Sequence, residues 1–391
     1  MRRLLALLFL ALIAATHAPA PPRPDGLSAD SEARWVPFDL TPGNQIRFSL
    51  LLDGTPVDAV LDTGVSQSVV SRAWAEAHKL KLHGGGAASA IGGPIATATV
   101  DARSIAMGGL YRGNVALSVA SLPATATGSA RPIVMLVGRD LIADYALDLD
   151  FDDHRFRLLP SGRMPFTGAT APLSISPTRQ VYVSELIMGG ARVAPLIVDT
   201  GDGASVTLSD RAWQFVKPAA PLETTALAYG LGGPIVMGLA IVPRVVSGTQ
   251  IADAVEVRVE PKGGFSDSVG VAGRIGTGFL QRYRVLLDAR AGRMILKPGA
   301  LADEDPQRST SGLLLAPEAD RLRVVHVMRG GPGAAGGWQT GDTICWVDGT
   351  PIGPDYPGSA LAGWSTGTPG RIVTLGLCDG RTRDLTLQQF Y

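Results

Sequence analysis

Cysteine is scarce: two in 391 residues, too few for a disulfide framework. Charge is sparse as well, at 18% of residues against about 25% in an ordinary soluble domain. The 35 Lys and Arg cancel the 35 Asp and Glu, which leaves no basic footprint for nucleic acid. The five histidines show no metal-ligand spacing, and no His-Glu-x-x-His occurs. There is no Gly-x-Ser-x-Gly elbow for a serine hydrolase. The one apolar run of note, residues 4–15, is shorter than the roughly 20 residues that span a bilayer. What is plentiful is apolar content (46%), glycine (48) and proline (28). The first argues against a mostly disordered chain. The last two call for many turns, and so for β-structure. Length alone suggests two or three domains at roughly 150 residues each.

The N-terminus has the form of a secretory signal over residues 1–18. Met1-Arg2-Arg3 supplies positive charge, residues 4–15 are apolar, and Thr16-His17-Ala18 offers small residues near a cut. The protein is therefore expected to be exported, periplasmic or secreted, and membrane-tethered if the signal stays uncleaved. A Pro-rich linker is expected over 19–35.

One pattern then occurs twice. Ala59-Val60-Leu61-Asp62-Thr63-Gly64 matches Leu196-Ile197-Val198-Asp199-Thr200-Gly201. Gly92-Gly93-Pro94-Ile95 matches Gly232-Gly233-Pro234-Ile235, and Leu136-Val137-Gly138 matches Arg274-Ile275-Gly276. These landmarks are shifted by 137, 140 and 138 residues, so the chain holds two homologous halves. They are placed at 36–160 and 161–298. Residues 45–52 and 57–61 read as a hairpin about Asp53-Gly54, and 179–187 and 193–198 as its repeat about Gly189-Gly190. Segments 69–80 and 208–216 are left open between helix and strand.

An Asp closing an apolar strand is costly when charged, and alone it reads as a cap or turn residue. Two such loops in homologous halves meet if the halves pack about a pseudo-twofold axis. Asp62 and Asp199 would then lie side by side and share one proton. A water between them would lose a proton to the charged member while the neutral member assists a carbonyl oxygen.

On these residues the chain resembles the retropepsin-type aspartic proteases, in a single-chain form with both halves encoded, over about 36–298. The resemblance implies a mainly β protein: two homologous retropepsin- or pepsin-like β-barrel lobes forming a pseudo-twofold unit. It implies catalytic Asp62 and Asp199, no metal and no cofactor. Thr63 and Thr200 would interlock the two loops, above Gly64 and Gly201. Gly92, Gly93, Pro94 and Ile95 would form one flap, and Gly232, Gly233, Pro234 and Ile235 a second. The substrate would be an extended peptide or protein segment, and the catalytic unit a monomer. The family usually adds a hydroxyl that supports the outer carboxylate oxygen. Ser66 fits that place in the first half. In the second, either two extra residues bring Ser205 there or the role is lost. Asp202, if near Asp199, would favour the proton on the pair.

After a polar stretch at 299–311, read as a linker, residues 312–391 form a third unit. Gly330-Gly331-Pro332-Gly333-Ala334-Ala335-Gly336-Gly337, then Gly341-Asp342-Thr343-Ile344 and Val347-Asp348-Gly349, resemble the loop, short helix and strand of bacterial PDZ domains. The resemblance implies a peptide-carboxylate loop near Gly312, Leu313, Leu314 and Leu315, able to hold a protein C-terminal tail. Leu314 stands where that family often has a second glycine. Cys345 and Cys378 both fall on expected strands, either bonded or as two thiols. Asp148, Asp150, Asp152 and Asp153 imitate a calcium loop, but Asp153 stands where the loop needs glycine. Two functions of different kind follow. One is a peptidase, with the third unit selecting or gating the substrate. The other is an inert duplicated barrel that binds peptides through its cleft and the third unit.

Overall fold

The computed structural model describes residues 25–129, 132–219 and 221–391. The expected signal segment, 1–18, lies outside them. The chain is mainly β. In the first half, strands Leu110–Ala120, Val69–Ser71, Met135–Val137, Thr55–Leu61, Ile46–Leu52 and Gly93–Met107 follow one another, and the last pairs back to the first. The second half repeats that closed order with Gln250–Val259, Val206–Leu208, Gly273–Gly276, Ala191–Asp199, Tyr182–Met188 and Gly233–Ser247. Closure removes the free sheet edges that a small open sheet would expose. Alternating burial along Ile46–Leu52 puts Ile46, Phe48, Leu50 and Leu52 into the core. Each ring extends into a hairpin, His83–Ala90 with Gly93–Met107 and Glu223–Gly230 with Gly233–Ser247.

A third sheet joins the halves. Tyr145–Asp150 of the first pairs antiparallel with Tyr283–Asp288 of the second, Leu147 opposite Leu287. Their hairpin partners Arg155–Pro160 and Arg293–Pro298 lie outside them. The acidic run here is structural. Asp148 is fully buried and accepts hydrogen bonds from Arg157 (2.9 Å) and Arg284 (2.9 Å).

The segments left open resolve alike in both halves, as a short strand and then a helix, Arg72–Ala77 and Asp210–Val216. The Ser209 hydroxyl caps the second helix at the Ala212 amide. Part of the expected N-terminal linker is not free chain. Gly26–Leu27 pairs with Leu110 and Tyr111, Ser31 is buried, and Trp35 stacks under Arg155 and Arg157. The expected linker at 299–311 is likewise held: Arg282 donates to the carbonyls of Ala302 and Glu304, and the Thr310 and Ser311 amides donate to Ser365.

The C-terminal unit has its own sheet, in the order Leu313–Pro317, Leu322–Val327, Thr343–Val347, Ile372–Leu377, Thr382–Thr386. Its core gathers Leu322, Val324, Ile344, Val347, Trp338, Trp364, Val373 and Leu375. Cys345 and Cys378, left open by the sequence, form a disulfide; Cys345 lies on its expected strand, whereas Cys378 lies in the turn just after Ile372–Leu377. The unit braces the second half's hairpin. Thr225 shares a hydrogen bond with His326 (2.8 Å) and accepts one from the Arg329 amide (3.1 Å), while Leu239, Met328 and Tyr391 pack together.

Candidate active site

Strands Thr55–Leu61 and Ala191–Asp199 each run parallel to the short strand of the third repeated landmark, Leu61 beside Val137 and Asp199 beside Gly276. This delivers Asp62 and Asp199 to the seam between the halves. The two loops then lock. The Thr63 amide donates to the Thr200 hydroxyl (3.1 Å), which donates to the Leu61 carbonyl (2.6 Å). In return the Thr200 amide donates to the Thr63 hydroxyl (3.0 Å), which donates to the Val198 carbonyl (2.7 Å). Both threonines are fully buried, so four polar groups with no access to water find partners across the seam.

Gly64 and Gly201 allow the closest approach. A side chain at Gly64 would overlap the Asp199 carboxyl, and one at Gly201 would overlap that of Asp62. The two carboxyls therefore lie side by side, each packed against the glycine of the opposite loop. The Gly64 amide donates to Asp62 (3.1 Å); the Gly201 and Asp202 amides donate to Asp199 (2.9 and 3.2 Å). Burial, then the charge of Asp199, holds the Asp62 carboxyl well above the usual carboxylate range. Burial and the charge of Asp202 push Asp199 up to about 6, against the pull of Arg274. Such a pair titrates in two steps, with one carboxyl charged between them.

Ser66 lines the cavity beside Asp62, but neither its hydroxyl nor that of Ser205 bonds either aspartate among the described residues. The second loop is longer by one residue rather than two. Val65 and Asp202 occupy matching places, accepting from Arg139 and Thr277, whereas beyond the loop Ser71 matches Ser209, bonded to Val134 and Ala272. Ser68 instead supports the first loop, accepting from the Gly138 amide (2.9 Å) and donating to Asp140 (2.7 Å).

The hairpin tips meet over the pair. The Gly232 amide donates to the Ile91 carbonyl (2.9 Å), and a side chain at Gly92 would strike the backbone of Gly233. Beneath lies a cavity of about 420 Å³ that reaches both aspartates. Ile95 lines it, but Ile235, its counterpart, does not; Gly92, Gly93, Pro94, Gly232, Gly233 and Pro234 shape the tips without lining it. Ile91, Tyr229 and Leu231, which the sequence reading did not single out, do line it. Ile91 and Leu231 directly precede the Gly-Gly pairs, and Tyr229 lies two residues before Leu231.

The cavity is one-sided. Val60, Val65, Val69, Ala120, Leu122, Ile133 and Leu136 wall it in the first half. In the second half the places of Val65, Val69, Ala120 and Leu136 are taken by Asp202, Thr207, Glu260 and Arg274, as strand register shows. Leu136 faces Val60 and Val69, and Arg274 faces Ile197 and Thr207. Val69 pairs with Ser118, two residues before Ala120, and Thr207 with Arg258, two before Glu260. Arg274 is 1% exposed and bonds Glu260 (2.6 Å) and Asp202 (2.9 Å), with Asp199 at 3.7 Å. Thr207 donates to Asp202 (2.9 Å). Burial alone would raise the Asp202 carboxyl, but the charge of Arg274 and the Ala204 amide leave it below its usual value.

Two amides of the carboxylate loop expected in the C-terminal unit have partners within the unit. The Gly312 amide donates to Ser309 and the Leu313 amide to Ser311. Leu313 is buried, and Leu314 and Leu315 continue into the strand.

Residues 48–141 match the sequence model of a family described as Aspartyl protease. No curated protein matches the chain. The family match supports an aspartyl protease-type, peptidase-like function for a mainly β chain.

Proposed function

We propose that the chain is an exported aspartic endopeptidase whose two homologous retropepsin-like lobes share one active site, followed by a PDZ-like domain. The observation that carries this reading is the pair Asp62 and Asp199, side by side beneath two touching hairpins. A water held by the pair attacks the carbonyl carbon of an extended peptide. The charged carboxyl takes a proton from the water, and the neutral one gives its proton to the carbonyl oxygen. The carbon–nitrogen bond of the resulting diol then breaks. The nitrogen takes the proton drawn from water, and a diol hydroxyl returns one to the carboxyl that began neutral. The hairpins must part to admit a strand, since their tips are in contact. An apolar side chain of the substrate seats in the first-half cavity, whose wall is aliphatic.

The PDZ-like domain serves to brace the second hairpin, through Thr225 and His326, more readily than to capture a tail, because the Gly312 and Leu313 amides of its expected carboxylate loop are already bonded. Incubating the purified protein with a peptide library across pH tests the activity. Peptides carrying a hydroxyl in place of the scissile carbonyl should inhibit it strongly, because they resemble the tetrahedral intermediate. A library left uncut at every pH would sink the reading and favour a binding role for the cleft.

A further inference from the structure

The two aspartates share one motif but have different neighbours. The charged side chain that acts most on Asp62 is Asp199. Asp140, on the helix that follows Gly138, is engaged by the amide and hydroxyl of Ser68 (3.0 and 2.7 Å). Val65, Val69 and Leu136 present only hydrocarbon, and Tyr229 faces the cavity from the hairpin. Asp199 instead looks onto the Arg274 guanidinium at 3.7 Å, which Asp202 and Glu260 fix in place and the Phe265 ring flanks. Arg258 acts on Asp202 from behind and is itself paired with Glu256 (3.1 Å). A cation at this distance and burial favours the charged form of the carboxyl nearest to it.

We propose that Arg274 is a positioning residue that sets the two aspartates apart, leaving the negative charge on Asp199 and the proton on Asp62. Asp199 is then the group that takes a proton from the attacking water, and Asp62 the one that gives its proton to the carbonyl oxygen. Asp202 and Glu260 hold the guanidinium and balance it, so that it does not strip the proton from the pair altogether. Both carboxyls are held above the usual carboxylate range, and Arg274 pulls Asp199 down against burial and the charge of Asp202. The assignment of steps rests on the peptidase reading; the assignment of charge does not.

Carboxyl carbon NMR tests the charge without needing turnover. In Asp62→Asn the signal of Asp199 should titrate at lower pH than that of Asp62 in Asp199→Asn, by about one pH unit or more. Adding Asp202→Asn to the first variant should lower the Asp199 titration further, and adding Arg274→Leu should raise it. Arg274→Lys should keep the original order. Equal or reversed titrations would overturn the proposal. So would Asp202→Asn and Arg274→Leu moving Asp199 in the same direction, as a purely structural role would have them do. Should Arg274→Leu fail to fold, Asp202→Asn and Arg274→Lys carry the test. Correct order without peptide cleavage would reject the peptidase reading alone; cleavage with reversed order would reject this proposal alone.

Discussion

The walls beside Asp62 and Asp199 are built on one backbone plan from opposite chemistry. Val65, Val69, Ala120 and Leu136 leave a void lined with hydrocarbon; Asp202, Thr207, Glu260 and Arg274 fill the matching place with a buried ionic cluster. Duplication alone would have made two equal pockets flanking two equal carboxyls. The difference teaches that, once a loop geometry is locked, its surroundings are free to take separate duties. On the proposed reading, one half offers room for a substrate side chain, and the other sets the charge of the pair. Burying an arginine with two carboxylates has a desolvation cost that an aliphatic wall does not, so the cluster is weak evidence for stability and better evidence for a role.

The comparison can be broken at three places. The largest effect is expected where the halves should be equal. Thr63→Val or Thr200→Val each leaves an amide and a carbonyl unpaired in the buried seam and should cost about 2–4 kcal/mol in urea unfolding. The two costs should agree closely, because each variant loses one bond from an amide and one to a carbonyl. Costs far apart would mean that the interlock is not reciprocal.

Next comes the wall. Val65→Phe narrows the first-half cavity and should lower kcat/KM about 10- to 100-fold for peptides with a large apolar side chain, while sparing those with a small one. An equal loss for both would mean that the cavity does not select.

The smallest effect is on stability against pH. Folded Asp199 keeps its proton to higher pH than in the unfolded chain, where a carboxyl titrates near 3.8. Its contribution is full below that pH and is lost as pH rises through about 6. Asp202, held low, works in reverse: its contribution is present above 3.8 and lost as pH falls. Asp199→Asn should therefore raise Tm by ~4 °C at pH 8 and by much less at pH 4. A Tm difference independent of pH would contradict the raised titration.

Much of this was legible beforehand because the signals were local and doubled. The two Asp-Thr-Gly loops, the Gly-Gly hairpin tips and the turns at Asp53-Gly54 and Gly189-Gly190 each announce themselves over a few residues, and each occurs twice. The ionic cluster did not, because its members come from three separate segments. Arg274 precedes Ile275-Gly276 and so reads as one more copy of Leu136-Val137-Gly138. Only strand register shows that an arginine fills the place of a wall leucine beside Glu260. The one-residue difference between the loops was hidden for the same reason, since Asp-Thr-Gly aligns with either length. The Cys345–Cys378 bond needed the distance between a strand and the turn that follows its neighbour. Docking of residues 25–35 needed the sight of Trp35 beneath Arg155 and Arg157, which a proline-rich composition conceals.

The central claim is that Asp62 and Asp199 act as one unit on a peptide bond. Its most direct test is the cleavage rate of Asp62→Asn and of Asp199→Asn beside the wild type, on one peptide, with folding checked by circular dichroism. Both variants should fold and should lose at least ~10³-fold in kcat, by similar factors, because neither carboxyl works without the other. A folded variant cleaving within tenfold of the wild type would contradict the account.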